Sequence, residues 1–542
     1  MWGALSSCSG GQEGEVLLLD ARGGSSNKTL TATASDQNYM LVAFSAPTSA
    51  PTGQSTYRID FTASAAQVSS RPSTLQHSPV EPSLELGAAK LMGDMKLEVQ
   101  RYRDTVARFE EAGRTFRKDP NLLRRFYDRR ASPAIRGISI QPTINIFSPF
   151  AGEENTSIQG TLRADSDDAA FYIDSRVSAS VDQSAIDSAV TAFSTISLPR
   201  LHALFGTESD IDGNGKVIVF FSDEVRIGSE ELGFFRPIDL LPAEAGNLIS
   251  NEGEILYVLI PDASNPVPLV NATVAHEMLH LINFSEKTLP LYTSSGGNLI
   301  DIEDVFLAEG MAHLAEDLVG WGTCTPLLTK FYLECLEHTS LAGSGSPVVA
   351  GKDFCETVAG SDDSLARRGG MTLFLLYLFQ QQGGASYSAT NAGDVTGGGI
   401  TFLKKLASSA DTGIENIQSS SARSFFNWYA DFGALLALDN TDYLGRDPKY
   451  NYQPEVKDPL TDMTRNIRLR GTRIDIDGSS ITLDGPLIQE SATAGNSAAI
   501  SRSLFLSGAH VLQLLAPANA QTVITLQGET NLDLGLSVIP LR

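Results

Sequence analysis

The 542-residue sequence predicts a multidomain α+β protein, in which a mixed β-sheet lobe plus a helical lobe are flanked by N- and C-terminal all-β, sandwich-like modules. Three observations predict this fold class. Strand-like runs separated by Gly, Ser and Pro turns fill residues 12–65 and recur from about residue 459. Between them, buried strands alternate with amphipathic helices. One of these helices carries the spacing His-Glu-x-x-His, on which the functional interpretation depends.

The chain divides into four expected segments. Residues 1–66 form an N-terminal β module after a short Gly/Ser tether, and residues 67–135 form a linker and a charged helical connector. The aromatic residues of the connector are expected to dock on a neighbouring surface, and a removable pro-segment is the alternative. Residues 136–455 form the mixed α/β central domain, and residues 456–542 form a C-terminal β-sandwich module.

Buried strands of the central domain are expected at Val217–Phe221 and at residues 254–260. The second strand directly precedes the motif helix and could pair with an extended peptide. Helices predicted at residues 368–382, 400–408 and 422–438 would complete the helical lobe.

The composition excludes several classes of function. The chain has 40 Lys and Arg against 64 Asp and Glu, which gives a formal net charge of −24. Nucleic acid and anionic membranes need clustered basic side chains, so neither is an expected partner. No apolar run of ~18 residues is present, so no transmembrane segment is expected. Residues 5–11 resemble the end of a bacterial lipoprotein signal, which indicates either a lipid anchor at Cys8 of a truncated chain or an accidental match.

Three of the four cysteines, Cys324, Cys335 and Cys355, cluster in the central domain. They allow one disulfide and one leftover thiol, and the sequence does not fix the pairing. Three buried thiols are the alternative. Because no C-x-x-C spacing occurs, a thiolate zinc site is not expected.

The central motif lies within residues 274–284. His276 and His280 are four residues apart and lie one helical turn apart on one face, so their ring nitrogens can reach a single metal ion at roughly 2 Å. Glu277 suits a general base that takes a proton from the water that the metal activates. Asn271 is the predicted N-cap of the helix. A chance match is the alternative, with odds on the order of one in a hundred for so few histidines.

A zinc ion held by these histidines needs a third protein ligand. Asn283 and Glu286 occupy the positions where a metzincin has Gly and His, so the third ligand must come from further along the chain. A second amphipathic helix offers Glu309, for which a solvated surface position is the alternative. Gly310 is predicted to leave room beside the metal.

Two more residues of this second helix are candidates for orienting a ligand histidine without binding the metal. His313 and Glu316 follow Glu309 at intervals of about one turn on the same face. His338 is a weaker candidate for the same role or for a donor to the transition state.

Residues 209–217 match the start of a calcium-binding loop, with oxygen ligands at alternate positions and a glycine at the bend. The candidate Ca²⁺ ligands are Asp210, Asp212 and Asn214. Position twelve of this loop is Phe221 rather than Glu, which excludes an EF-hand. A calcium site would need outside ligands such as Asp223 or Glu224, and a polar turn leading into a strand is the alternative.

The His276-Glu277-x-x-His280 motif, together with residues 283–284 and 306–312, resembles the hyicolysin-like neutral metalloproteases, a gluzincin group of secreted bacterial peptidases. Weaker similarities extend the resemblance over roughly residues 155–440. The resemblance implies a gluzincin-like metalloprotease core, with residues 136–455 as a zinc metalloprotease catalytic domain. It also implies Zn²⁺ ligands at His276, His280 and Glu309, and Glu277 as the base.

One departure from the family is Arg367-Arg368-Gly369-Gly370, which stands where such enzymes tend to have a Tyr-Gly pair. The sequence therefore does not identify a side chain that stabilises the transition state.

The resulting expectation is a monomeric zinc-dependent endopeptidase that cleaves protein or peptide substrates outside the cell, at the bacterial cell surface or in the periplasm. A zinc aminopeptidase is one alternative, although no Gly-x-Met-Glu-Asn-type element for gripping a free amino terminus is present. A non-enzymatic surface binding or adhesion protein on a protease scaffold is the other.

Overall fold

The computed structural model of the chain describes sixteen stretches of the sequence. They are residues 15–47, 54–63, 105–119, 139–150, 156–177, 181–226, 232–243, 250–298, 302–322, 325–342, 355, 363–442, 447–474, 480–495, 498–529 and 533–541. The expectations for Cys8, for Cys324 and for most of the linker and connector lie outside the described residues. The mixed, multidomain α+β fold class is confirmed, and the gluzincin-like identity of the core stays a prediction.

The strands are numbered along the chain. They are β1 (Leu17–Asp20), β2 (Ser25–Leu30), β3 (Gln37–Ser45), β4 (Gln54–Ala63), β5 (Thr143–Phe147), β6 (Ser157–Asp165), β7 (Ala169–Asp174), β8 (Val217–Phe221), β9 (Gly233–Phe235), β10 (Ile255–Val258), β11 (Ser386–Tyr387), β12 (Val395–Thr396), β13 (Val456–Lys457), β14 (Thr464–Arg465), β15 (Arg470–Ile474), β16 (Ser480–Asp484), β17 (Glu490–Thr493), β18 (Ala498–Phe505), β19 (Ala509–Ala516), β20 (Thr522–Gly528) and β21 (Leu534–Leu541).

The helices are numbered in the same way. They are α1 (residues 105–118), α2 (Gln183–Ala192), α3 (Leu198–Leu204), α4 (Val267–Asn283), α5 (Leu289–Ser294), α6 (Val305–Val319), α7 (Thr325–Glu334), α8 (Leu365–Gln381), α9 (Gly399–Ser408), α10 (Gly413–Ser421) and α11 (Phe425–Leu438). Short π-helical turns join α2 to α3 and α4 to α5.

One β-sandwich is built from both ends of the chain. Its first sheet has the strand order β1-β21-β3-β19-β17, and its second sheet has the order β18-β4-β20-β2. In the first sheet Leu41 of β3 lies opposite Leu512 on one side and Val538 on the other. The prediction of two separate modules at residues 1–66 and 456–542 is therefore wrong. Alternation of apolar residues fixes which face of a strand is buried, but it does not specify the distant strand that completes the sheet.

The segment between the helical lobe and the sandwich forms small hairpins. Strands β13 and β14 pair only with each other among the described residues, and so do β15 and β16. The predicted C-terminal module therefore begins too early, because its first thirty or so residues contribute no strand to the sandwich.

The central sheet is mixed and has the order β5-β6-β7-β8-β10-β9. Strands β7, β8 and β10 are parallel, and β9 runs antiparallel to β10 at the edge. The prediction that the strand before the motif helix can pair with a peptide is wrong for β10, because β8 and β9 cover both of its sides. Among the described residues, β5 and β9 are the two edge strands of this sheet.

The three helices predicted for the helical lobe are confirmed as α8, α9 and α11, and α10 is a further helix that was not predicted. Helix α11 joins this lobe to the sandwich: Phe426 and Tyr429 pack against Phe44 of β3, with ring centroids 5.3 and 5.6 Å apart. The Tyr429 hydroxyl also donates to the Ser507 carbonyl at 2.9 Å. No helix within the described residues is both long and apolar enough to cross a membrane.

Helix α1 is the described part of the predicted connector, and it docks on the central domain. Phe109 and Phe116 are buried against Tyr292, with ring centroids 5.0 and 6.0 Å away. The Tyr292 hydroxyl donates to the Phe109 carbonyl at 2.8 Å. Docking through aromatic side chains is thus confirmed for this helix.

The structure also selects a cysteine pairing. Cys335 and Cys355 form a disulfide, with their Cα atoms 5.1 Å apart. The alternative of three buried thiols is therefore wrong, and the bond ties residue 355 to the end of α7.

Candidate metal centre

Helix α4 presents the His-Glu-x-x-His motif from a buried position. It begins after Pro266 and has Pro268 in its first turn, where a missing N–H costs nothing. The prediction that Asn271 is the N-cap is therefore wrong, because Asn271 lies inside the helix and is buried. The helix continues through residue 283 and holds the motif in its rigid middle.

Helix α6 supplies the carboxylate that the sequence predicted as the third ligand. It starts after Asp304 and ends at Gly320, whose φ of 96° places it in the left-handed region that favours glycine. Glu309 and Glu316 are buried on the side of α6 that faces α4, and His313 lies between them. Glu309 is 3 % exposed, so the alternative of a solvated surface residue is wrong.

Gly310 allows α6 and α8 to approach each other closely. A Cβ atom at this position would lie 2.2 Å from Cγ of Met371. The prediction that Gly310 leaves room beside the metal is therefore wrong, because the space that it leaves is filled by α8.

One donor atom from each of His276, His280 and Glu309 lies within 4.8 Å of the other two. Nε2 of His276 is 3.4 Å from Oε2 of Glu309, and Nε2 of His280 is 3.3 Å from Oε1. Two ligands of a tetrahedral zinc ion, each roughly 2.0–2.2 Å from it, are about 3.3–3.5 Å apart. The three side chains therefore have the spacing of a single metal site.

One of these donors is poorly satisfied by the protein itself. Nε2 of His280 is buried and makes no hydrogen bond to any residue that the structure describes. A buried polar atom without a partner costs about 1–3 kcal/mol, and a bound cation would remove that cost. The residues present therefore fit a metal ion bound by two imidazoles and one carboxylate.

Glu316 orients the first histidine of the motif. Its Oε1 lies 2.7 Å from Nδ1 of His276, which leaves Nε2 of that ring directed at the site. The same oxygen is 2.8 Å from Nδ1 of His313. The predicted role of Glu316 as an orienting partner is consistent with this geometry, and His313 reaches His276 through Glu316 and by ring contact at 4.7 Å.

The charges of this cluster favour a cation between the carboxylates. Burial alone would lower the pKa of His276, but Glu309 and Glu316 outweigh burial and raise it well above its usual value. Burial raises the pKa of Glu316, yet His313 and His276 together bring it down to about 2. Burial is also the main reason why the pKa of His313 is lowered. A positive charge at Nε2 of His276 is thus stabilised where a metal ion would stand.

Arg368 is a residue of the site that the sequence analysis noted only as a departure from the family. Its Nη1 lies 3.0 Å from Oε2 of Glu309, and its guanidinium also pairs with Asp363 at 2.6 Å. Burial raises the pKa of Glu309, but Arg368 and His280 outweigh it and hold that pKa well below its usual range. The Arg-Arg-Gly-Gly sequence gave no signal of this contact, because α8 is distant in the chain.

The edge strand β9 lies directly beside the predicted base. A Cβ atom on Gly233 would lie 2.6 Å from Cγ2 of Thr273 and 3.3 Å from Cγ of Glu277. Gly233 of this edge strand and the Glu277 side chain are therefore direct neighbours.

His338 does not join the cluster. Its Nε2 lies 3.5 Å from Oε1 of Glu337, and Glu337 is 3.9 Å from Arg502 of the sandwich. The prediction of His338 as a donor or orienting partner is wrong for this reason.

The predicted calcium ligands are only partly brought together. Asp210 and Asp212 each place a carboxylate oxygen within 4.8 Å of Glu254, which the sequence analysis did not consider. Asn214 lies in the same turn, and its Nδ2 donates to Oδ2 of Asp212 at 2.8 Å. Asp223 belongs to the turn that follows β8, whereas the loop precedes β8, so the strand separates them.

Glu224 lies in the same turn as Asp223, at the far end of β8 from the loop. It pairs with Arg176 at 3.8 Å. The suggestion that Asp223 or Glu224 completes a calcium site is therefore wrong.

No protein-family model matches the chain, and a search of curated proteins finds no relative.

Proposed function

We propose that the protein is a zinc-dependent endopeptidase of the hyicolysin-like, gluzincin type. The observation that carries the proposal is the convergence of His276, His280 and Glu309, whose donor atoms are spaced like the ligands of one tetrahedral ion. Two histidines and a glutamate with one open position are the donor set of catalytic rather than structural zinc sites.

A zinc ion in this site would act as a Lewis acid toward water and toward the peptide carbonyl. Glu277 follows His276 on α4 and is 5 % exposed, so its carboxylate is shielded from bulk water beside the ligands. In the proposed reaction Glu277 takes a proton from the attacking water and delivers it to the amine that leaves.

The edge of β9 supports an extended peptide as the substrate. A peptide can add to an edge strand through main-chain hydrogen bonds, which position it without selecting a sequence. Gly233 is the β9 residue next to Glu277, so a peptide paired along β9 would pass in front of the base. This arrangement favours the hydrolysis of internal peptide bonds over the binding of a free amino terminus.

We also propose that the protein is located in an oxidising compartment. The Cys335–Cys355 disulfide favours a secreted, surface-attached or periplasmic protein, because reducing compartments keep thiols reduced. Protein or peptide substrates outside the cytoplasm are the partners that this proposal implies.

The test combines metal analysis with digestion of casein by the full chain. We expect one zinc ion per chain and zinc-dependent casein cleavage, which Glu277→Gln abolishes while the zinc content is kept. Glu286→Gln is the matched control, because Glu286 accepts from the Thr207 amide at 2.8 Å and does not touch the ligands. Full activity of Glu277→Gln would contradict the assigned base.

Peptide substrates with blocked amino termini separate the remaining alternatives. An endopeptidase cleaves them, whereas an aminopeptidase does not. Stoichiometric zinc without cleavage of any peptide would instead favour a binding protein on a protease scaffold.

A further inference from the structure

A second group of carboxylates lies at the start of two parallel strands, away from the histidine cluster. The loop at residues 209–216 leads into β8, and Glu254 immediately precedes β10. Because β8 and β10 are parallel neighbours, they begin at the same end of the sheet. The Ile218 amide donates to the Glu254 carbonyl at 2.8 Å. The topology therefore places Glu254 directly beneath the loop.

Glu254 is held in an unusual position for a carboxylate. It is 1 % exposed, and its Oε1 accepts from the Ser209 hydroxyl at 2.6 Å and from the Ile211 amide at 2.9 Å. Its Oε2 is also buried but accepts no hydrogen bond from any described residue. A buried carboxylate oxygen without a donor is expensive unless a proton or a cation neutralises the group, and burial raises the pKa of Glu254 to about 7.

The loop contributes two more carboxylates to the same point. Oxygens of Asp210, Asp212 and Glu254 lie within 4.8 Å of one another. Two oxygens bound to one calcium ion at about 2.3–2.6 Å are at most about 5 Å apart, so one ion can contact all three groups. Lys216 does not neutralise them, because its Nζ is 2.6 Å from Oδ1 of Asp165.

We propose that Asp210, Asp212 and Glu254 form a calcium site that fastens the loop at residues 209–216 to the central sheet. The donors are all oxygens, which favours calcium over zinc. The irregular loop also suits the flexible coordination of calcium better than the strict octahedron of magnesium. The proposal does not depend on the histidine cluster or on peptidase activity.

The loop contacts the end of the motif helix, so the ion would also stabilise that end. Oγ of Ser285 lies 3.2 Å from Oγ of Ser209, and the Thr207 amide donates to Glu286 at 2.8 Å. Both contacts join the residues just before or within the loop to the π-helical turn that follows α4. Calcium would therefore raise the resistance of this region to unfolding.

Equilibrium dialysis with radioactive Ca²⁺ tests the site in the full chain, freed of divalent ions and then saturated with Zn²⁺. We expect saturable binding of one Ca²⁺ per chain and a higher unfolding temperature in its presence. Asp210→Asn and Glu254→Gln should each weaken Ca²⁺ binding at least ~10-fold, because each removes a charged ligand. Both replacements keep a side-chain oxygen that can still accept the existing hydrogen bond, from the Gly215 amide at position 210 and from the Ile211 amide at position 254.

Asp223→Asn is the matched control, because it removes a carboxylate at the opposite end of β8. It should leave Ca²⁺ binding unchanged, and zinc content should be the same in all three variants. The proposal is overturned by the absence of saturable Ca²⁺ binding, by equal weakening in Asp223→Asn, or by equally tight binding of Mg²⁺.

Discussion

Glu316 fixes the orientation of the His276 ring toward the proposed metal. Its carboxylate holds Nδ1 of the ring at 2.7 Å, so Nε2 is the nitrogen left for the site. Carboxylates that support metal-bound histidines in this way typically contribute 10–100-fold to metal affinity.

Glu316→Gln should therefore lower zinc affinity by about 10–100-fold, because an amide is a weaker acceptor and can present an N–H to the ring. A competitive chelator titration measures this. Asp317→Asn is the matched control on the same helix, because Asp317 accepts from the Asn466 amide instead. Equal zinc affinity in wild type and Glu316→Gln would contradict the orienting role.

A second residue-scale effect concerns His510 in the sandwich. His510 is 2 % exposed, with Nδ1 2.8 Å from the Tyr57 hydroxyl, and burial lowers its pKa from 6.5 to about 4. Between pH 6.5 and 4 the unfolded chain binds a proton that the folded chain does not bind. This contribution to the free energy of unfolding is therefore complete above pH 6.5 and is lost as the pH falls to about 4.

His510→Gln removes this titration. The free energy of unfolding of the wild type should fall relative to that of the variant by up to about 3 kcal/mol between pH 7 and 4. Urea unfolding at several pH values measures the difference. A difference that stays constant over this range would show that His510 titrates normally in the folded protein.

The residues that the sequence predicted well are those whose partners are local. His276, Glu277 and His280 lie within about one helical turn. Glu309 lies in a helix that the spacing of its own apolar residues is enough to predict. Arg368 belongs to another helix, and its contact with Glu309 depends on how α6 and α8 pack. No spacing rule covers such a contact, which is why the sequence analysis missed it.

At the scale of elements, the close packing of α6 on α8 holds Glu309 in place. Gly310 lies at the contact between these two helices. Helix α8 also packs closely on α7 through Gly369 and Gly370, where an added Cβ atom would overlap Leu328 or Tyr332. Glycine in a helix interior normally costs about 1 kcal/mol relative to alanine. At these three positions the neighbouring helices fill the space that a side chain would need.

Gly310→Ala should therefore destabilise the protein by about 1–3 kcal/mol in spite of the higher helix propensity of alanine. The added methyl would overlap Met371, which must move. In the Met371→Ala background, the same Gly310→Ala change should lower the free energy of unfolding by less than it does in the wild type. Urea unfolding of the two single variants and of the double variant measures this difference. Higher stability of Gly310→Ala would show that the helices do not approach as closely as described.

On the scale of the whole molecule, the two chain ends are one structural unit. Strand β3 pairs with β19 and β21, and β4 pairs with β18 and β20. In all four pairs an N-terminal strand lies next to a C-terminal strand. Helix α11 then packs on this sandwich through Phe44. The sequence predicted the strands but not their shared sheets, because pairing over such a distance leaves no local pattern.

A chain that ends at residue 485 tests this arrangement. It lacks β17 to β21, and we expect rapid amide hydrogen exchange throughout β3 and β4 together with low solubility, because apolar faces and strand edges are exposed. A chain that starts at Glu15 keeps all the described strands and should match the full chain. Protected amides in β3 of the shortened chain would contradict the shared sandwich.

The central claim is that His276, His280 and Glu309 bind one zinc ion. Anomalous diffraction at the zinc absorption edge, on crystals of the full chain grown with Zn²⁺, tests it most directly. We predict one peak at roughly 2.0–2.2 Å from Nε2 of both histidines and from a Glu309 oxygen. A peak between His313 and Glu316, or none near α4, would contradict the account.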